Sequence, residues 1–581
     1  METSSKVAMD RKSVASVLEH LAQLMELKGE NAFRTRAFVT AARTIAALPG
    51  DVHTALADGT LAATRGIGPA TLQIITELCE QGRSSVLEEL REQVPPGLVE
   101  MLQISGLGVA KIRQIHDTLD IDSIGELEAA ARDGRLAGLP RFGAKTADNI
   151  LRGISFLRQA SAYRLFHHAA EEAEQLRSAL AKLDGVLQAV VAGDVRRHME
   201  IVRDIGIVVV ADAAPEEIFA RLRELPGILE FAGQDERRSL LRFEGGAHAQ
   251  VVVTTPVNFG AVLVQATGSE PHLRALQERA RAAGFTLAGA ALWRGSTFVP
   301  TPDESALYRA LGLDWIPPEL REGRNELDAA AAGALPALLE LSDLRGFLHC
   351  HTRYSDGSNT VEEMALGARA HGYQYIGITD HSAAAAYAGG LSADDLQRQC
   401  DEIDAVNARQ LGIRVLKGVE ADILQDGALD YGDDVLARLD FVIGSIHSRF
   451  TMSESEMTAR VLAAMDSPYL TMLGHPTGRL LLQREPYALD MHAVIARAAR
   501  TGVALEINAD PHRLDVDWRL LADAKAAGCT ISIGADAHNV AGIGNTPFGV
   551  GIARKGGLGP NDILNCEDVE GFLAFARRRR A

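Results

Sequence analysis

Residues 347–357 read FLHCHTRYSDG. Two histidines two positions apart follow an apolar lead, and an aspartate closes the stretch. In an extended strand side chains alternate, so His349 and His351 share one face and Cys350 lies on the other. The same texture recurs downstream. Short apolar runs alternate with helix-length segments: GFLHCH, YIGITDH, RVLKGVE, FVIGSIH, LTMLGH, VALEIN and TISIGADAH. Seven such runs predict a parallel sheet, covered on both faces or closed as a barrel.

The ends of these runs carry metal-ligand residue types. They are His349 and His351, Asp380 with His381, Glu420, His447, His475, and Asp536 with His538; Asp356 lies just past the first run. Only the sixth run departs, offering Glu506 and Asn508. In parallel β/α barrels the carboxyl ends of the strands meet on one face, so residues distant in sequence converge. A single buried histidine is ordinarily a hydrogen-bonded core residue. A set of strand ends in one phase is a different pattern. Imidazole and carboxylate without thiolate suit a catalytic site for zinc, manganese or iron. The set exceeds the needs of one ion, so two or three divalent ions are expected. Such clusters cleave phosphate esters.

The motifs HCHTRYSDG, ITDHS, GVEADIL, GSIHS, GHPTGR and GADAH resemble the PHP (polymerase and histidinol phosphatase) family over about residues 344–581. The resemblance implies a distorted seven-stranded β/α barrel with a trinuclear centre. It assigns His349, His351, Glu420 and Asp536 to one ion. Glu420 would bridge to a second, held also by His447 and His475. Asp356, His381 and His538 would hold the third. Asp380 is expected to orient a neighbouring ligand. Arg513, with His512, is a candidate for a substrate phosphate or for pairing with a carboxylate. Arg479 is a second such candidate, and Tyr354 lines the cleft or packs beside it.

The 581 residues exceed one ordinary core, and several domains are expected. The net charge of −18 argues against a nucleic-acid binder over its whole surface, so any such binding is local. Five dispersed cysteines (Cys79, Cys350, Cys400, Cys529 and Cys566) fit a reducing compartment, and a cytoplasmic location is expected. No apolar run predicts a membrane span or a secretion signal. The terminal ARRRRA reads as a solvated tail.

Residues 1–155 read as an all-helical domain, 156–320 as mixed α+β, and the alanine-rich 321–343 as a helical linker or boundary before 344–581. The helical part repeats a glycine turn three times: RGIGPATLQII (65–75), SGLGVAKIRQI (105–115) and LPRFGAKTADNIL (139–151). Such turns offer backbone N–H groups to a DNA phosphate without reading bases. Gly66, Gly68, Gly106, Gly108 and Gly143 shape them, Lys111 and Lys145 follow two of them, and Arg141 replaces a glycine in the third.

LKGENAFRTRAF, AGDVRR, DIGIVVVA and FGAVLVQATGS fall in the order of family X DNA polymerases. With the PHP motifs they resemble a family X polymerase fused to a C-terminal PHP domain. The resemblance implies helix-hairpin-helix DNA binding and a central nucleotidyltransferase-like domain with palm and thumb. It also exposes departures. The family's Asp-x-Asp pair reads Asp204-Ile205-Gly206, and Gln250 falls at the third carboxylate. Asp212 has the right parity but lies about 26 Å further along an extended strand. The family's Gly-Ser reads Gly193-Asp194 before Arg196-Arg197, and His198 replaces a glycine. Ile74 stands where some relatives carry a Schiff-base lysine. Nucleotidyl transfer needs carboxylates for two magnesium ions, so a central domain inactive or nearly so as a polymerase is expected.

The reading that results is a metal-dependent DNA-processing phosphoesterase. By resemblance it is a 3′→5′ exonuclease acting on gapped, nicked or 3′-recessed DNA in base excision repair, with abasic-site or 3′-end processing as related activities. Three alternatives stay open: a phosphatase of the histidinol-phosphate type, an active gap-filling polymerase, and a non-enzymatic DNA scaffold.

Overall fold

The computed structural model describes residues 9, 11–46, 48, 52–104, 106–243 and 246–580. The chain divides into two compact units, one up to Ser161 and one from Ala162 onward.

The first unit is helical. Helices Arg11–Lys28 and Ala32–Ala46 bury Val14, Leu18, Leu21, Phe38 and Ile45 at helical spacing, and Ile75, Met101 and Ile115 of later helices join the same core. The last helix, Ala144–Ser161, runs across residue 155.

The second unit opens with helix Phe166–Leu180 beside a two-stranded pair, Arg164–Leu165 with Ile201–Val202, and then forms a five-stranded sheet. Its order is Val186–Ala192, Ile205–Ala211, His248–Thr254, Arg238–Phe243, Ile228–Asp235. The pair Ile205–Ala211 and His248–Thr254 is parallel, and the other pairs are antiparallel. A three-stranded antiparallel sheet follows at 286–299. Residues 321–343 are α-helical only over Glu326–Ala331, and they pack rather than span. Arg321 and Leu339 are fully buried.

The remainder is a parallel sheet of eight strands, ordered Arg414–Lys417, Tyr375–Ile378, Gly346–Cys350, Ile531–Ala537, Ala504–Asn508, Met472–Leu473, Ile443–Ser445, Glu420–Asp422. The expected seven become eight because the run RVLKGVE breaks. Its first piece pairs with Tyr375–Ile378 and its second with Ile443–Ser445. The two edge strands are therefore consecutive in the chain, and the curled sheet closes on itself at residues 418–419. There Gly418 N–H donates to Ile378 O, and Ile443 N–H to Val419 O, both at 3.0 Å. A side chain at residue 418 would begin 2.6 Å from the Phe441 ring and 2.7 Å from the Ile378 carbonyl oxygen, so the break needs glycine.

Leu348, Leu416, Phe441, Ile443, Met472 and Ala504 form an inner cluster with Phe572 of helix Val569–Arg577. The tail that follows is only partly solvated. Arg577 and Arg578 are exposed, but Arg579 binds the carbonyls of Leu470 and Met465, and Arg580 that of Leu439.

Candidate metal centre

The first strand does not alternate simply. His349 has φ +66°, and the ladder to Ile531–Ala537 slips between Leu348 and Cys350. This bulge places Leu348 in the inner cluster and His349 among the other site histidines. Phe347 and Cys350 pack with the outer core beneath the helices. His349 and His351 do converge, with ring centroids 5.4 Å apart, but a bulge rather than a straight pleat aims them. Asp536 also has a positive φ, 52°.

Glu420 is the hub. Its Oε1 lies 2.9 Å from His475 Nε2, 3.3 Å from His447 Nε2 and 3.4 Å from His349 Nε2. Its Oε2 lies 2.9 Å from His381 Nδ1 and 3.6 Å from His351 Nε2. Asp536 Oδ1 stands 3.1 Å from His351 Nε2 and 3.6 Å from His349 Nε2. Asp356 lies 3.2 Å from His538 Nε2 and 3.7 Å from His381 Nε2. All nine sequence-selected residues thus fall into overlapping groups of metal-binding spacing: His351–Asp356–His381–His538, His349–His351–Asp536, His349–Glu420–His475 and His381–Glu420–His447.

These residues fit a cation. His349 Nε2, His381 Nδ1 and Glu420 Oε2 are buried close to one another yet make no aligned hydrogen bond, as expected of ligand atoms aimed at a common cation. Burial raises the carboxyl pKa of Glu420, but His447, His381 and His349 outweigh it and hold that pKa well below the usual range. Asp536 behaves likewise, through His349 and His351. Burial and the neighbouring His381 and His538 push His351 down to about 4, leaving it neutral as a ligand must be. Burial also opposes charge on His447, yet Glu420 and Asp422 raise it to about 10. The pocket therefore demands positive charge, which divalent ions would supply.

The supporting carboxylates are two that the ligand assignment leaves out, Glu506 and Asp422. His349 Nδ1 meets Glu506 Oε1 at 2.6 Å, and His447 Nδ1 meets Asp422 Oδ1 at 2.7 Å. Each fixes a ring so that its Nε2 faces Glu420. The signal for Asp422 was its place two residues after Glu420 on one strand face. Asp380 reaches backbone and hydroxyl groups instead of an imidazole. It is fully buried and accepts from Thr352 N–H (2.8 Å), Thr352 Oγ1 (2.7 Å), Ser355 Oγ (2.5 Å) and Gln399 Nε2 (2.6 Å). It holds the turn leading to Asp356.

Arg513 faces carboxylates, its Nε 3.7 Å from Asp536 Oδ2. Arg479 is buried and structural. Its Nε donates to Arg513 O at 2.9 Å, it also binds Leu514 O, and its Nη1 pairs with Asp517 at 3.1 Å. It thereby holds the loop that presents Arg513. His512 bonds Asp510, and Tyr354 donates to Glu402 at 2.9 Å.

Comparison with known proteins matches models described as a helix-hairpin-helix domain (residues 9–84), a SAM-like helix-hairpin-helix tandem (98–155), a DNA polymerase beta thumb (262–322) and a PHP domain (348–510). The chain is 35% identical over 574 residues, covering 98% of itself and the whole of the relative, to the DNA polymerase/3′-5′ exonuclease PolX of Bacillus subtilis (strain 168). The chain belongs to the family X DNA polymerases that carry a C-terminal PHP domain. Its PHP part is also 30% identical over 243 residues to a probable phosphatase of Caldicellulosiruptor bescii, covering 39% of this chain and 94% of that one. A probable phosphatase of Shewanella sediminis matches at 30% over 246 residues, covering 40% and 93%. The PHP domain makes this family X member a metal-dependent hydrolase, and its hairpin and thumb regions make it a DNA-binding one.

In this family X chain, the positions read in the sequence as Asp-x-Asp and third carboxylate come together. Gly206 and Gln250 are direct partners across the parallel pair. Asp204 lies beside them, its Oδ1 3.8 Å from His248 Nδ1. A side chain at residue 206 would begin 3.1 Å from the Ala192 carbonyl carbon and 3.2 Å from Gly193 N, so the neighbouring strand closes tightly on the glycine.

The paired arginines are committed elsewhere. Arg196 grips Glu304 with both terminal nitrogens, at 2.6 and 2.9 Å. Arg197 bonds Asp194 at 2.5 Å and Glu322 at 3.0 Å, and Lys555 of the PHP part also binds Glu322. His198 takes φ +54°, stacks on Phe166 with centroids 4.9 Å apart, and lies over Gly551.

The three hairpins share one geometry. Gly66, Gly106 and Arg141 all take positive φ (101°, 79° and 69°). Gly68, Gly108 and Gly143 sit exposed at the N-termini of helices Pro69–Gln81, Val109–Leu119 and Ala144–Ser161. Lys111 Nζ closes its own turn by donating to Gly106 O at 3.0 Å. Lys145 is exposed, and Ile74 is buried in the helical core. Among the described residues no helix is long and apolar enough to cross a membrane.

Proposed function

We propose that this chain is a 3′→5′ exonuclease of DNA whose PHP centre carries out the cleavage, with a central domain that has lost nucleotidyl transfer. The observation that carries the reading is the convergence of nine ligand-type side chains in overlapping groups, with Glu420 as their hub. His349, His351, Glu420 and Asp536 would hold one ion. Glu420, His447 and His475 would hold a second, and Asp356, His381 and His538 a third. Bound manganese, zinc or iron would supply an activated water and charge neutralisation at the scissile phosphate. The protein's own groups do the positioning. Glu506 and Asp422 fix imidazoles, Asp380 holds the turn before Asp356, and Arg513 adds a cation facing the carboxylate side.

The exposed hairpin glycines Gly68, Gly108 and Gly143, with Gly66, Gly106, Lys111 and Lys145 behind them, would grip DNA phosphates. Gapped, nicked or 3′-recessed duplexes in the cytoplasm are the proposed substrates. Two facts support loss of polymerase activity: Gly206 stands opposite Gln250 in the sheet, and Arg196 and Arg197 are neutralised by Glu304, Glu322 and Asp194.

The test is a paired assay on gapped DNA with manganese or magnesium. The wild type should shorten the 3′ end and fail to extend it. His349→Ala should abolish shortening while retaining DNA binding. Cleavage that survives His349→Ala would overturn the proposed site, and templated dNTP incorporation would overturn the inactive palm. The likeness to probable phosphatases favours a second reading, a phosphomonoesterase. Faster turnover of small phosphate monoesters than of DNA would support it.

A further inference from the structure

The centre as described is polar and charged, and a nucleic acid end would also bring a nucleobase. Tyr354 is tied to Glu402, and Tyr487 is buried with its hydroxyl on Pro476 O. Phe450 stacks on Tyr487 and is covered by Arg484. Tyr387 differs from all three. It is 71% exposed, yet its ring centroid lies 6.1 Å from both His381 and His447, whose rings are themselves 5.2 Å apart.

Its loop is anchored at the base. Ser382 bridges Leu391, Ala384 N–H donates to Asp430 at 2.6 Å, and Tyr431 OH donates to Leu391 O at 2.5 Å. Gly390 lets the loop fold back, since a side chain there would begin 1.9 Å from Ser382 O. A short 3₁₀ turn, Ala386–Ala388, then carries the tyrosine at the tip among alanines. An isolated exposed aromatic is ordinary on a protein surface. One held on a pinned loop against two site imidazoles is placed.

We propose that Tyr387 is a stacking platform for the terminal nucleobase of the DNA strand whose phosphodiester lies at the metal centre. A base stands one sugar away from its phosphate, so a strand end seated over His381 and His447 would bring its base to this rim. Aromatic faces accept any base, which suits an enzyme that removes nucleotides regardless of sequence. The same contact would favour nucleotides over phosphate esters without a base. The inference rests on the exonuclease reading above.

The test uses the full chain with manganese and two 3′-recessed duplexes, one ending in an ordinary nucleotide and one in a base-free tetrahydrofuran nucleotide. The wild type should prefer the ordinary end by roughly 5- to 150-fold in kcat/KM, the range that base–aromatic stacking spans, with the difference carried in KM. Tyr387→Phe should keep this preference. Tyr387→Ala should bring the ratio close to unity with metal content unchanged. A preference that persists in Tyr387→Ala overturns the inference and leaves the exonuclease reading standing. A wild type that shortens neither duplex overturns that reading and the inference together.

Discussion

Glu506 grips His349 from behind: its Oε1 lies 2.6 Å from the imidazole Nδ1, while its other oxygen accepts the backbone N–H of His475 at 2.7 Å. One buried carboxylate thus orients one proposed ligand and positions the backbone of another. Glu506→Gln keeps the shape but removes the charge that favours the Nδ1 proton. Metal affinity should fall roughly 10- to 100-fold, the usual effect of losing such a partner. Titrating manganese into metal-free protein and reading bound metal per chain checks this independently of activity.

Glu304 ties the palm arginines down and should make the second unit acid-sensitive. Burial raises its pKa, but Arg196 and Arg321 outweigh burial and hold it at about 2, against 4.5 when free. Between those values the unfolded chain binds the extra proton, so the stability Glu304 confers is full above about pH 4.5 and lost as pH falls towards 2. Glu304→Gln should cost on the order of 3 kcal/mol at pH 7, with the deficit shrinking below pH 4. Trp315 donates to Glu304 at 3.0 Å, so urea titrations followed by tryptophan fluorescence report this unit directly.

His198 and Gly551 are complementary across the palm and the PHP helix Thr546–Lys555. A side chain at residue 551 would begin 2.3 Å from His198 Nδ1. Gly551→Ala should destabilise by about 1–3 kcal/mol through overpacking. His198→Ala in the same chain should recover most of that loss, because the clash needs both groups. A double-mutant cycle of urea midpoints measures the coupling, and additive effects would contradict it.

Carboxylates placed at residues 206 and 250 should not confer polymerisation. Gly206→Asp must displace the backbone at Ala192–Gly193, and Arg196 and Arg197 stay engaged with Glu304 and Glu322. The double variant Gly206→Asp, Gln250→Asp should remain inactive in primer extension. A gain of templated incorporation would show that the missing carboxylates alone silence the palm.

Much of the centre was legible because ligand residues sit at strand ends, where periodicity and burial give position directly. His381, Glu420, His447 and His475 needed only that rule. His349 needed more. Strict alternation puts it on the side of Phe347, and only the positive φ at His349 turns it to the site, a feature no spacing rule reports. The eighth strand was hidden for a similar reason, since GVE reads as the end of one run until Gly418 is seen against Phe441. The partners of Asp380 were not legible, because Thr352 and Ser355 lie more than twenty residues away and meet it only through the fold. Glu304 and Glu322 were invisible as the arginines' partners, for they lie more than 100 residues away and carry no motif.

The seam of the barrel sets a length rule. Lys417 ends the strand that pairs backward with Tyr375–Ile378, and Glu420 begins the strand that pairs forward with Ile443–Ser445. Gly418 and Val419 are all that join them. An inserted or deleted residue here could leave both ladders intact and still rotate Glu420 off His349, His381, His447 and His475. The barrel would tolerate the change as a fold and lose its hub, so the spacing between those two strands is set by the chemistry and not by the architecture.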